Sequence, residues 1–228
     1  MTAPADLFAT KSDYAYTRIR ELILSGELEP GAVIPQTVLA RQIGISTTPL
    51  REALRRLKQQ GLVELDAHRD ARVAPLDAEE ARNLLEVRRP LDPLAASLAA
   101  GRRTAADLAE MRAALDGLES LPSNPTVEQL VAHRRFHAAI YRASYNRLLV
   151  QTLDGLWDSA DRYRRHALQV DRSAEERART AAEHTRLVEA IAGGDGAAAA
   201  EVMQAHVETS LGARSAVRLA EHAGTEQS

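Results

Sequence analysis

Four histidines in the second half of the chain stand at spacings that could gather a cation. His133 and His137 are four residues apart, so on a helix they share one face, and Leu130, Phe136 and Ile140 mark that face as inward. His184 stands among Leu187, Val188 and Ile191, and His206 among Val202 and Met203, so both also point toward an apolar interior. The middle of the Gly193-Gly194-Asp195-Gly196 turn comes about ten residues after His184 and about twelve before His206; at roughly 1.5 Å per residue, two antiparallel helices leaving it bring the rings to one height. Crowded buried imidazoles depress one another's proton affinity, and a divalent cation relieves that by taking their neutral nitrogens as ligands. Four independent core histidines are the alternative that spacing leaves open. The chain has no cysteine, which excludes disulfides, zinc ribbons and thiol catalysis and leaves any metal to His and carboxylates.

The elements that must position these rings are helical. The chain has 228 residues, 45% hydrophobic and 27% charged, with 4% aromatic and few β-branched runs, so a mostly α protein of one domain or two modest ones is expected. Beyond Pro75, helical spacing predicts segments over about 77–101, 105–120, 126–144, 146–170, 174–192 and 196–218, six helices that suffice for an antiparallel bundle with its own core. Leu121-Pro122-Ser123-Asn124-Pro125 and the Gly193–Gly196 stretch are the clearest turns. The expected domains are 11–76 and 77–219, with 220–228 a disordered tail. No apolar run reaches the length of a membrane span and the first ten residues lack the pattern of a signal peptide, so a cytoplasmic location is expected.

The first third has a different character. Residues 11–76 carry ten Lys or Arg against eight Asp or Glu, whereas the net charge of the whole chain is −3. A helix is predicted from Asp13 to Ser25 with Gly26 as its cap, then a turn at Pro30-Gly31, a brief extension at Val33-Ile34, a second helix over 36–43 ended by Gly44, and a third after Ser46 running to about Gln60. Two short helices joined by a tight Gly-containing turn form a helix-turn-helix, whose second helix can enter a major groove with Ser46, Thr47, Thr48 and Arg51 toward the bases. The runs Leu62–Leu65 and Ala71–Ala74 flank a polar loop and predict a hairpin, a wing carrying Arg69 near its tip. Arg41 on the second helix is a further basic candidate. A small helical subdomain with a hairpin and no DNA to bind is the competing reading.

The residues Leu28-Glu29-Pro30-Gly31, Leu39-Ala40, Ile43 through Leu54, Leu57 and Gly61-Leu62-Val63 resemble the winged helix-turn-helix of GntR-type transcriptional regulators. That resemblance implies operator contacts from Ser46, Thr48 and Arg51, with Arg51 suited to a bidentate contact with guanine. Thr47 stands where the family usually has Arg, and Asp70 where it usually has Gly at the wing tip. The second half is similar to the FCD effector domain of the FadR subgroup, through Arg88-x-x-Leu91-Asp92, Phe136-His137, Ser144, Asn146, Glu183-His184-x-x-Leu187-x-x-Ala190-Ile191, Gly194-Asp195 and His206. In metal-containing members an Asp and three His hold a zinc- or nickel-like ion. The three His correspond to His137, His184 and His206, and His133 stands where the Asp would be, which makes it either a fourth ligand or a neighbour of a three-His site.

A metallohydrolase is the alternative function, since an open metal position activates water. Arg134 rather than Glu follows His133, however, and no phosphate loop, nucleophile elbow or dinucleotide fingerprint is present. Arg88 and Arg134 near a metal suit binding a carboxylate. The expectation is therefore a homodimeric, ligand-responsive regulator, a repressor of a metabolic operon and not an enzyme. It would bind a roughly palindromic operator and sense a small organic acid beside a zinc- or nickel-like ion.

Overall fold

The computed structural model describes residues 10–65, 71–118, 121–122, 125–169 and 172–225. The chain divides after Leu76 into two compact units.

The first unit contains α1 (Lys11–Ser25), β1 (Val33–Ile34), α2 (Gln36–Gln42), α3 (Thr47–Gln59), β2 (Val63–Leu65) and β3 (Ala71–Val73). Thr10 caps α1 by accepting the Asp13 amide, and Gly26 closes it in a left-handed conformation at φ 76°. Ala15, Ile19, Leu22 and Ile23 on α1 share a core with Leu50, Ala53, Leu54 and Leu57 on α3. Between α2 and α3 the chain turns at Ile43-Gly44, where Gly44 takes φ 73° and the Ile45 amide returns to the Ala40 carbonyl at 3.0 Å. The wing is a three-stranded antiparallel sheet in the order β1-β3-β2 rather than a lone hairpin: Val33 pairs with Arg72 while Val63 pairs with Val73. The brief extension at Val33-Ile34 is thus drawn into the sheet by β3, whose Ala71 and Val73 face the core.

In the second unit, seven helices are found among the described residues: α4 (Ala78–Arg102), α5 (Ala105–Asp116), α6 (Val127–Arg142), α7 (Arg147–Ala167), α8 (Ala174–Gly193), α9 (Gly196–Glu208) and α10 (Leu211–Thr225). The segment predicted as one helix over 196–218 is two, because Thr209 ends α9 with its hydroxyl on the Ala205 carbonyl and Ser210 starts α10 by accepting the Ala213 amide. The last helix continues to Thr225, where a disordered tail is expected from 220. Among the described residues no helix is long and apolar enough to cross a membrane.

The spine of this unit is α4, which packs against α6, α7, α8, α9 and α10. Ala95, Ala96, Ala99 and Ala100 line its buried side and let neighbours approach closely. The approach is tightest at Gly196, the first residue of α9: a Cβ there would lie 2.9 Å from Ser97 Oγ and 3.1 Å from the Ser97 carbonyl oxygen. The remaining core is Phe136, Ile140, Tyr141, Leu153, Trp157, Leu187, Ile191 and Met203, drawn from α6, α7, α8 and α9.

Candidate metal centre and nucleic-acid interface

All four histidines meet. Helix α6 starts at a reciprocal cap between Thr126 and Gln129, and its first three turns carry His133 and His137 to the bundle interior. Helix α8, likewise capped by Ser173 and Glu176, brings His184, and α9 returns from the Gly194 turn with His206. One nitrogen from each ring lies within 4.8 Å of the others, and all four residues are buried. Ring centroids are 4.8 Å apart for His133 and His137, 5.2 Å for His137 and His206, and 4.7 Å for His184 and His206.

Burial and neighbouring charges keep His133, His137 and His184 neutral. Burial is the main cause that holds His133 and His137 well below the usual histidine value; Arg164 comes next for His133, and His133 itself for His137. Burial, then His206 and Arg164, push His184 down to about 2. Neutral imidazoles offer lone pairs, and here those lone pairs lack protein partners. His133 Nδ1, both nitrogens of His137 and His184 Nε2 are buried with no hydrogen-bond partner. Orphaned buried nitrogens are costly in an interior, and a cation that accepts them removes the cost. His206 differs in a way that strengthens the fit: its Nδ1–H donates to Glu183 Oε2 at 3.0 Å, which leaves Nε2 as the nitrogen with the lone pair. That bond is also the first cause of the lowered Glu183 value.

The histidines line a cavity of about 370 Å³ with Arg88, Arg164, Arg172, Thr180, Thr185 and Ser210 among the other walls. Arg88 forms a bidentate pair with the fully buried Asp92 (2.9 and 3.1 Å), and Tyr141 donates its hydroxyl to the same carboxylate. Burial alone would lower the Arg88 value, yet Asp92 and Tyr141 together hold it above its usual range. Arg164 pairs with Asp161 and stacks over Trp157 at 4.7 Å.

Arg134, expected beside Arg88, is not in the cavity wall. It follows His133 by one residue and so is turned about 100° around α6, where Asp158 and the Asp154 carbonyl bind it. Arg164 and Arg172 take its place, and Glu183 is a further site residue that spacing did not single out.

In the first unit, Ser46, Thr47, Thr48 and Arg51 are exposed at the start of α3, opposite the buried Leu50, Ala53, Leu54 and Leu57. Arg55 and Lys58 extend the same exposed stripe at helical spacing, a continuation not predicted. Arg51 Nε donates to Gln36 Oε1 at 3.2 Å, so the first residue of α2 orients it. Arg41 is exposed at the end of α2. By contrast, Arg56 is drawn to Asp13 at 2.7 Å and over the Tyr16 ring, which ties α3 to α1. Arg69 and Asp70 lie outside the described residues.

Residues 11–73 match the gntR family of bacterial regulatory proteins, and residues 83–209 match the FCD domain. The HTH-type transcriptional regulator LutR of Bacillus subtilis (strain 168) is 32% identical over 206 residues, which cover 82% of this chain and 93% of LutR. YdhC, an uncharacterised HTH-type transcriptional regulator of the same strain, is 29% identical over 145 residues that span 63% of this chain and 65% of YdhC. The solved structure of E. coli McbR/YncC has a TM-score of 0.76 at 23% identity, covering 94% of this chain and 99% of that one, a likeness of fold.

Proposed function

Because the chain belongs to the GntR family of bacterial regulatory proteins, carries an FCD domain and is similar to HTH-type transcriptional regulators, we propose that it senses a small organic acid at a metal anchored by His133, His137, His184 and His206. The observation that carries this reading is the convergence of four buried imidazoles, three with orphaned nitrogens, in a cavity also lined by arginines. A bound zinc- or nickel-like ion supplies a Lewis-acidic charge for a carboxylate oxygen. Glu183 orients His206, and Arg88 and Arg164, fixed by Asp92 and Asp161, supply guanidinium donors on the wall. His133 contributes a nitrogen to the same cluster as the other three, which favours a four-histidine set over a three-histidine set with a neighbour.

At the other unit, Ser46, Thr48 and Arg51 read bases, while Arg41, Arg55 and Lys58 contact phosphates. A homodimer on a roughly palindromic operator in the cytoplasm, acting as a repressor, completes the reading. Its ligand must bind the DNA-competent and incompetent arrangements unequally. Metal analysis of protein purified without chelator should find close to one ion per chain, and His137→Ala, His184→Ala or His206→Ala should remove most of it. His133→Ala should weaken the metal strongly if it is a fourth ligand. Full metal content in the first three variants would sink the proposed centre. Sedimentation should give a dimer, and Thr47→Arg should steepen the salt dependence of DNA binding by about one phosphate contact.

A further inference from the structure

The cavity wall holds one cation that the metal reading leaves unused. Arg172, just ahead of α8, lines the cavity and is only 9% exposed. Its Nη2 donates to the Glu176 carbonyl at 3.2 Å and to Thr180 Oγ1 at 2.7 Å, while its Nε is buried with no partner. Arg88 and Arg164 are each neutralised by a buried aspartate, whereas among the described residues no carboxylate forms an ion pair with Arg172. Glu176, whose carbonyl Arg172 binds, gives its carboxylate to Arg214 at 2.7 Å. Burial first, and then the charge of Arg214, weigh against the Arg172 proton; Glu176 opposes them, and Arg177 and Arg179 add to the positive field.

A buried guanidinium that is short of an anion and crowded by other cations is a receptor for one. Its position suits a ligand already held at the histidines. Thr180 stands four residues before His184, about 6 Å along the axis of α8, so the Arg172 fork lies roughly one helical turn from the cluster. The cavity volume of about 370 Å³ is in the range of small-molecule sites. We propose that Arg172, held in place by Thr180, forms a second anion subsite in this cavity, and that the effector is a dicarboxylate whose far carboxylate it takes. The inference rests on the reading of the cavity as a metal-anchored acid site and adds the class of acid.

The test titrates the zinc-loaded full chain calorimetrically with succinate, glutarate and adipate, and with butyrate, valerate and hexanoate as monoacids of matching length. At least one diacid is expected to bind tenfold or more tightly than its monoacid. Arg172→Gln should erase that ratio while monoacid affinity and zinc content stay within twofold of the unmodified protein. If Arg172→Gln loses helicity, Thr180→Val, which removes the hydroxyl that positions the guanidinium, should cut the ratio at least threefold. Equal affinity for every diacid and its monoacid overturns the second subsite, as does an undiminished ratio in the folded variants. Monoacids that bind equally well to metal-stripped protein overturn the metal-anchored reading instead, so the two failures are separable. Binding of no acid of either kind overturns both.

Discussion

Stripping metal from the second unit should make it acid-labile, with a steepness that follows from the cluster. The unfolded chain takes up a proton on each histidine near pH 6.5, whereas burial and then neighbouring charges hold His133, His137 and His184 well below that value when folded. With folded values depressed, their contribution is fully present above about pH 6.5 and is lost as the pH falls toward those values. Three protons bound by the unfolded chain and refused by the folded one amount to about 4 kcal/mol per pH unit. A domain with about 5–15 kcal/mol of stability should then unfold between about pH 5.3 and 2.8 in the presence of chelator. Zinc at about a thousand times its dissociation constant adds about 4 kcal/mol, which should move the midpoint down by about one pH unit, because the folded imidazoles remain neutral over this window. Trp157 is the sole tryptophan, is buried, and lies 5.4 Å from His137 and 6.0 Å from His133 between ring centroids, so its emission reports this unit alone. A chelated protein whose Trp157 signal survives unchanged to about pH 2.5, or whose midpoint ignores zinc, would refute the buried neutral cluster.

Three further perturbations probe separate parts of the molecule. Glu183→Gln removes the carboxylate that orients His206 and should weaken zinc about 10- to 100-fold in competition with a chromophoric chelator, with the fold intact; an unchanged affinity would make the contact incidental. Arg51→Ala should cost about 1–3 kcal/mol of specific operator binding at fixed salt and relax preference at one base per half-site, whereas an equal loss on random DNA would reassign it to phosphate. Gly196→Ala sets a methyl against Ser97 Oγ and the Ser97 carbonyl, of which only the first can turn aside, so urea unfolding followed at Trp157 should show a loss of about 1–3 kcal/mol.

What could be read from the sequence divides along a physical line. Histidine convergence was legible because it depends on periodicity and on one helix-pair register: His133 and His137 share a face by spacing, and the Gly194 turn sets His184 opposite His206. The recognition face was legible for the same reason, since Leu50, Ala53, Leu54 and Leu57 define the buried side of α3 and leave Thr48 and Arg51 outside. Arginines resist such reading. Their guanidinium lies several bonds from the backbone, and its destination is decided by which carboxylate captures it, on its own helix or on another. Arg134, adjacent in sequence to a cluster histidine, is captured by Asp158 on α7; Arg164, some thirty residues further on, reaches the cavity wall because Asp161 and Trp157 hold it there. The same argument covers the split of the last expected helix, where apolar spacing runs on through 209–210 while the Thr209 and Ser210 hydroxyls compete for backbone groups and break it. Periodicity thus finds the histidines, whose rings sit close to the backbone. The cations that choose the anion are assigned only once the acids around them are in place, and for that reason Arg172, the one cavity arginine without such an acid among the described residues, points most directly at the ligand.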